Sequence, residues 1–186
     1  MTGRAPQPKP QTQQAQPEKA RAGFYVVKVV AETPIIYGRR VDEASEAERE
    51  ELVKRYGEEK AKHIDYMFMR APHPITNEWS AYIPGWAVLA ALKSAAGIGG
   101  KPLPLKGVEI LGIYFPLKWL SILTHLIGKP GKEPVLMMAE AINPGAEGQM
   151  IWLGDPAAIP NEIKVPTAWI GRARSKGYGK VQIRWE

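Results

Sequence analysis

Glycines and basic residues alternate near the end of the chain. This segment holds three glycines, three cations and then an alternating stretch typical of a strand: Gly171, Gly177, Gly179, Arg172, Arg174, Lys176 and Lys180–Trp185. Glycine permits positive φ and brings backbone N–H groups close to a ligand. Arg and Lys add charged donors that suit phosphate oxygens. The pattern predicts a loop that binds a polynucleotide backbone, and a basic hairpin turn without a ligand is the alternative.

Two familiar nucleotide-binding patterns do not fit this segment. Lys176–Ile183 is similar to the aromatic strand motif of RRM domains, [K/R]-G-[F/Y]-[G/A]-F-V-x-[F/Y]. However, Lys180 and Ile183 occupy the positions where aromatic rings would stack on bases. The glycines also precede the strand, whereas a dinucleotide fingerprint requires a strand before them and a helix after them. We therefore expect neither an ordinary RRM nor a dinucleotide site.

Composition excludes several classes of site. The chain has 186 residues, 45% of them hydrophobic, and a net charge of +6, which favours an acidic partner. It contains no Cys, so disulfides and thiolate metal sites are excluded. Its three His residues are not at ligand spacing from one another, so we expect no zinc site and no cofactor. The lack of Cys fits a reducing compartment or the hot habitat of a thermophile.

The sequence predicts no membrane segment. Its longest apolar stretch, Leu103–Ile127, is interrupted by charged residues and proline, and the amino terminus lacks an apolar signal core. We therefore expect a soluble, cytoplasmic protein. Residues 1–22 are basic and rich in Pro and Gln, which predicts a disordered basic tail. Residues 23–186 then form a single domain.

The remaining pattern predicts an α+β fold with one antiparallel sheet and helices on one face. A capping box at Ser45 predicts an inserted charged helix over about 45–62. The other predicted helices are Trp86–Ala96 and Leu117–Ile127. The predicted strands are Phe24–Ala31, Tyr66–Met69, Val108–Phe115, Val135–Ile142, Met150–Leu153 and the final Lys180–Trp185. Four tryptophans are expected in the core: Trp79, Trp86, Trp119 and Trp152.

Two separate motifs resemble the RAMP superfamily of CRISPR-associated RNA-binding proteins. Residues 169–179 match the family's glycine-rich loop, G-h-G-x(5)-G-h-G, except that Trp169 replaces the first glycine. Tyr82–Leu92 resembles the Y-I-P-G-S-S-L-K-G segment of RAMP backbone subunits, and Phe24–Arg40 resembles their first strand. The resemblance implies a ferredoxin-like (RRM-like) fold. It also implies an RNA-binding subunit of a CRISPR ribonucleoprotein, which acts in antiviral defence.

The chain departs from the family at the helix start. Trp86-Ala87 stands in place of Ser-Ser, which removes polar groups that could face RNA. This departure suggests that the helix start is buried or contacts a protein. The charged helix about 45–62 and the short length are also unusual for the family.

A catalytic role is the least supported part of the interpretation. Asp65, in His-Ile-Asp-Tyr, lies where the Gly-Ile-Asp loop of type III backbone subunits supports cleavage of target RNA. A glycine is missing from that position, and a lone Asp is commonly a turn residue. The histidines offer general acid–base chemistry, but His73 lies between prolines and His125 lies in a segment expected to be an apolar helix. We therefore favour a non-catalytic protein, with an RNA endonuclease as the lesser alternative.

The sequence thus predicts an RNA-binding subunit that holds guide RNA backbone, with guide or target RNA and other subunits of the complex as partners. Backbone N–H groups and three cations of the loop would make the contacts. The predicted RNA-binding residues are Gly171, Arg172, Arg174, Lys176, Gly177, Tyr178, Gly179 and Lys180. Two alternatives remain: a structural protein–protein assembly module, and a protein of a ribonucleoprotein unrelated to CRISPR.

Overall fold

A computed structural model describes residues 23–128 and 131–185, with the side chain of Ile127 excepted. The predicted tail 1–22 lies outside the described residues. The described residues form eleven strands in two sheets: β1 (Phe24–Ala31), β2 (Gly38–Arg40), β3 (Tyr66–Phe68), β4 (Arg70–Pro72), β5 (Trp79–Pro84), β6 (Val108–Pro116), β7 (Leu120–Ile127), β8 (Val135–Ile142), β9 (Glu147–Gly154), β10 (Thr167–Trp169) and β11 (Lys180–Arg184). The helices are α1 (Glu46–Tyr56), α2 (Glu58–Ala61) and α3 (Gly85–Ala95).

The larger sheet has the strand order β10-β11-β1-β9-β6-β5-β4. Its central strands β11-β1-β9-β6 are antiparallel to their neighbours, and α3 connects into β6. This is the strand order of a ferredoxin-like sheet, and the predicted α+β class is confirmed. Two short 3-10 turns, Pro156–Ala158 and Asn161–Ile163, stand between β9 and β10, where a ferredoxin-like sheet has its second helix.

One sheet was expected, but the strands divide into two. The smaller sheet has the order β2-β3-β8-β7. The predicted helix Leu117–Ile127 is wrong, because most of this segment forms β7. Eight residues of β7 pair with β8, from Leu120 opposite Ile142 to Ile127 opposite Val135. The apolar residues of this segment are spaced as on a helix, but a short apolar run does not distinguish the two structures. The β-branched residues Ile122 and Thr124 favour the strand.

The main hydrophobic core lies against one face of the larger sheet. Val27, Val29 and Ala31 of β1 alternate into the core, while the residues between them face the other way. Helix α3 packs on the core face through its buried residues, among them Val88 and Leu92. On the opposite face, side chains of β1, β6 and β9 line a cavity of about 700 Å³.

The expectation that four tryptophans lie in the core is wrong for two of them. Trp152 is fully buried and Trp119 is half-buried. Trp79, however, is 52% exposed, and Trp86 is 73% exposed. At the start of α3, therefore, Gly85 is buried but the Trp86 side chain is free to contact a partner molecule.

The predicted charged helix over 45–62 forms as two helices, α1 and α2, which are separated at Gly57. Its capping box is present, since Ser45 N–H donates to Glu48 Oε2 over 2.8 Å and Glu48 N–H donates to Ser45 Oγ over 3.3 Å. Leu52 is buried beside the smaller sheet, whereas Val53 is exposed. Within the described residues, no helix is long and apolar enough to cross a bilayer.

A buried ion pair joins α1 and the two sheets. Arg70 on β4 donates from both terminal nitrogens to the carboxylate of Glu140 on β8, each over 2.8 Å. The same carboxylate accepts the backbone N–H of Phe68 over 3.0 Å and the hydroxyl of Tyr56 over 2.6 Å. Glu51 of α1 accepts from Arg70 Nε over 2.8 Å. Burial, followed by the charge of Glu140, raises the pKa of the Tyr56 phenol, so this hydroxyl stays protonated as a donor.

Removing the Glu140 carboxylate should destabilise the whole arrangement. We expect Glu140→Ala to lower the free energy of unfolding by about 3–5 kcal/mol, because it removes the carboxylate that binds both terminal nitrogens of the buried Arg70 guanidinium. Urea denaturation measures the change. The exposed pair Lys28–Glu147 provides the control, since Glu147→Ala should leave stability nearly unchanged. Equal effects of the two substitutions would show that the buried pair has no special role.

Candidate functional site

The glycine-rich loop joins the edge strand β10 to its antiparallel neighbour β11 in the larger sheet. Its middle is a single 3-10 turn, Arg174–Lys176. Ala173 before the turn and Gly177 after it both have left-handed backbone conformations, with φ of 56° and 87°. Arg172, Arg174 and Lys176 are all exposed on this sharp turn.

Two of the three glycines are required by contacts inside the protein. At Gly171, with φ of 92°, an added Cβ would lie 2.3 Å from the carbonyl oxygen of Ile36. At Gly179, with φ of 89°, it would lie 1.9 Å from the carbonyl oxygen of Ile170. At Gly177 nothing lies within 4 Å of that position. Gly171 and Gly179 therefore allow close packing of backbone on backbone, and only Gly177 faces open space.

Several backbone N–H groups of the loop already have partners. Arg172 donates to the carbonyl of Ile36 and Gly179 donates to that of Pro34, both over 2.8 Å. Lys176 and Gly177 donate within the turn, over 2.9 and 3.0 Å. Fewer backbone N–H groups of the loop are therefore left to bind a phosphate than the three glycines led us to expect. Side-chain cations are left as the main donors for a ligand.

The predicted cations differ in how free they are. Among the described residues, the side chain of Arg174 makes no hydrogen bond or ion pair. The Arg172 guanidinium lies over the ring of Tyr66, 4.6 Å from its centroid, and keeps its charge free for an anion. Lys176 donates to the carbonyl of Leu126. Lys180 forms an ion pair with Glu32 over 2.8 Å, and its hydrogen bond lowers the pKa of Glu32.

Tyr178 anchors the loop to the smaller sheet. Its ring meets the ring of His125 on β7 edge-on, with centroids 5.9 Å apart. It also packs against the small buried cluster of Ile36, Ala139 and Ala141. His125 is buried and its Nδ1 has no partner within the described residues.

Asp65 immediately precedes β3 and is the neighbour of Tyr66, on whose ring Arg172 lies. Its Oδ2 accepts the backbone N–H of Met138 over 2.9 Å, and its own N–H donates to the carbonyl of Met138 over 2.8 Å. These bonds tie β3 to β8. In the described part of the chain, no group of three or more His, Asp or Glu is placed to hold a metal ion.

Sequence reasoning missed two tryptophans beside the loop. Trp86 on α3 and Trp169 on β10 line one groove together with Arg172 and Arg174. A signal was present, since both tryptophans stand where the resembling motifs have a small residue, serine or glycine. Their exposure could be seen only once α3 had been placed beside β10.

No family model matches the sequence, and no curated protein shows significant similarity to it. Among solved structures, the chain is similar in fold to a chain of the Type III-B Cmr-beta bound to cognate target RNA. The TM-score is 0.51 and the sequence identity 15%, over 88% of this chain and 60% of that chain. The protein therefore spans about three-fifths of the length of this neighbour, and the likeness concerns the fold.

The two kinds of loop glycine should respond differently to alanine. We expect Gly177→Ala to cost about 1–2 kcal/mol of stability, the cost of a left-handed residue with a side chain. Gly179→Ala should cost distinctly more, because its Cβ would also collide with the Ile170 carbonyl. Denaturation midpoints of the two variants test this. Equal losses would mean that the close backbone contact at Gly179 does not constrain the loop.

The stability of the protein should depend on pH through His125. Burial, then the charge of Lys176, lowers the pKa of His125 below its ordinary value of 6.5. As pH falls through 6.5, the unfolded chain therefore binds a proton before the folded protein does, and stability decreases. His125→Gln should reduce this loss in unfolding experiments between neutral and mildly acidic pH. His63→Gln, at an exposed position, is the control, and an equal effect of both variants would contradict the assignment.

Proposed function

We propose that this protein is an RNA-binding subunit of a CRISPR ribonucleoprotein effector, related to the RAMP superfamily, that holds guide RNA through its glycine-rich loop. The observation that carries the proposal is the turn beside the edge of a ferredoxin-like sheet, where the side chains of Arg172 and Arg174 have no carboxylate partner among the described residues. The fold likeness to a chain of an RNA-bound Cmr-beta structure supports it.

The chemistry of the loop suits a phosphodiester backbone. A guanidinium can donate two parallel hydrogen bonds to phosphate oxygens, and Arg172 and Arg174 are both exposed for this purpose. Lys176 adds a further positive charge at the edge of the site. Contacts to phosphates position an RNA strand but do not select its sequence. We therefore assign the loop to holding and registering RNA.

The proposal includes no cleavage step. One oxygen of Asp65 accepts a backbone N–H of β8, so the carboxylate has a structural role at the beginning of β3. His73 is similarly engaged, since its Nδ1 accepts the N–H groups of Ile75 and Thr76 and its Nε2 bonds the side chain of Gln149 over 2.7 Å.

A second candidate function, assembly with partner proteins, is favoured by the far end of the β7–β8 hairpin. Leu126, Val135 and Leu136 are large apolar residues that are all exposed there, and Leu126 and Leu136 are directly opposite each other. Clustered exposed apolar residues are typical of protein contact surfaces. This apolar patch adjoins the glycine-rich loop, because Lys176 donates to the carbonyl of Leu126.

Removing the three loop cations should weaken RNA binding irrespective of sequence. We expect the triple variant Arg172→Ala, Arg174→Ala, Lys176→Ala to bind single-stranded RNAs of different sequence with similarly reduced affinity. The slope of log K against log salt should become shallower by up to about two, since each phosphate contact on a single strand contributes about 0.7. Fluorescence anisotropy over a salt series measures both quantities.

A matched control removes the same charge elsewhere. Lys54, Lys60 and Lys62 are exposed on or next to α1 and α2, so replacing all three with Ala should leave the RNA salt slope unchanged. Equal effects of the two triple variants would refute the loop assignment. RNA that remains bound to the protein purified at low salt from its native cells identifies the ligand. Short repeat-derived RNAs support a CRISPR guide, and ribosomal RNA would replace that assignment.

A further inference from the structure

A groove of about 570 Å³ runs between helix α3 and the glycine-rich loop. We name it the tryptophan groove and define it by Trp86, Trp169, Tyr37, Ser94, Arg172 and Arg174. Its volume lies within the range of about 300–1,000 Å³ found for ligand pockets. It adjoins the proposed RNA-backbone site because both arginines belong to the loop.

Both tryptophans are exposed but rigidly placed. Trp86 is 73% exposed and Trp169 is 41% exposed. Trp86 is the second residue of α3, which is held against β6 because Gly85 lies so close that an added Cβ would be 1.9 Å from the carbonyl of Ile110. Trp169 is paired with Lys180 in the β10–β11 ladder. Two large aromatic faces are therefore displayed by regular secondary structure instead of by flexible loops.

The remaining groove wall leaves room for a flat ring. On the α3 side it consists of small residues, among them Ala87, Ala90 and Ser94. Tyr37 also lines the groove, and burial raises the pKa of its phenol, which stays protonated. The groove thus combines aromatic surface with a few polar groups.

Charge distinguishes this groove from the cavity on the other side of the sheet. None of the described residues that line the tryptophan groove is acidic, and the first turn of α3 has no acidic residue. By contrast, the cavity on the open sheet face contains two cations and two carboxylates: Lys28, Arg184, Glu78 and Glu147. We therefore expect an anionic ligand to bind in the tryptophan groove, and planar aromatic groups of that ligand to stack on the indole rings of Trp86 and Trp169.

We propose that the tryptophan groove is a base-stacking subsite, in which Trp86 and Trp169 contact unstacked bases of single-stranded RNA while Arg172 and Arg174 hold the adjoining phosphates. Exposed aromatic rings beside a positively charged backbone track are the general means of binding single strands without sequence preference. Bases inside a duplex are already stacked, so the subsite selects single-stranded RNA. This inference rests on the proposed RNA-binding function and adds contacts with the RNA bases to the proposed contacts with the RNA backbone.

An RNA that lacks bases separates stacking from backbone binding. The full-length protein is titrated with oligoadenylate and with an abasic oligomer of the same length and charge. Wild-type protein should bind oligoadenylate more tightly, and Trp86→Ala should weaken that binding by roughly five- to 150-fold, the range measured for loss of one stacked base. Binding of the abasic oligomer should be the same for both proteins. Trp86→Phe should retain most of the affinity.

Trp79→Ala is the matched control, because Trp79 is 52% exposed but lines the cavity on the opposite sheet face. It should bind both oligomers as wild type does. If Trp86→Ala bound oligoadenylate like wild type while the triple loop variant lost affinity, stacking would be refuted and the loop assignment retained. The groove would then belong to a protein partner. If wild type bound neither oligomer, both the subsite and the proposed function would be overturned.

Discussion

Burying Arg70 together with Glu140 removes two charges from water, and this is tolerable because both groups are surrounded by hydrogen-bond partners. The carboxylate accepts from Arg70, Phe68 and Tyr56, and the guanidinium also reaches Glu51. These residues belong to β4, β3, β8 and α1, so one polar cluster holds the smaller sheet and the inserted helix to the larger sheet. The relative position of the two sheets depends on it.

The glycine-rich loop depends on that same arrangement, because it is attached to both sheets. It connects two strands of the larger sheet, while Tyr178 packs on His125 and Arg172 lies over Tyr66 in the smaller sheet. A shift between the sheets would move these supports relative to β10 and β11. The charged surface is therefore positioned by a contact that lies outside it and carries no ligand itself.

Local pattern was sufficient to predict much of the fold. β1, β8 and α3 follow from runs of β-branched or helix-forming residues that agree with their final environment. The helix prediction for Leu117–Ile127 was wrong because the spacing of its apolar residues does not distinguish a strand from a helix. The strand depends on pairing with β8. The Arg70–Glu140 pair, with partners 70 residues apart, has no local pattern at all. The loop cations were visible in the sequence, but the pairing of Lys180 with Glu32 and the exposure of Trp86 depend on tertiary contacts.

The attachment of the loop to the segment Pro34–Ile36 affects how binding free energy is used. Main-chain hydrogen bonds from Arg172 and Gly179 hold the loop in place before any ligand arrives. A flexible basic loop would lose conformational entropy on binding, which reduces affinity. Here that entropy is lost during folding. The entropy that ligand binding still costs is then mainly that of the arginine side chains.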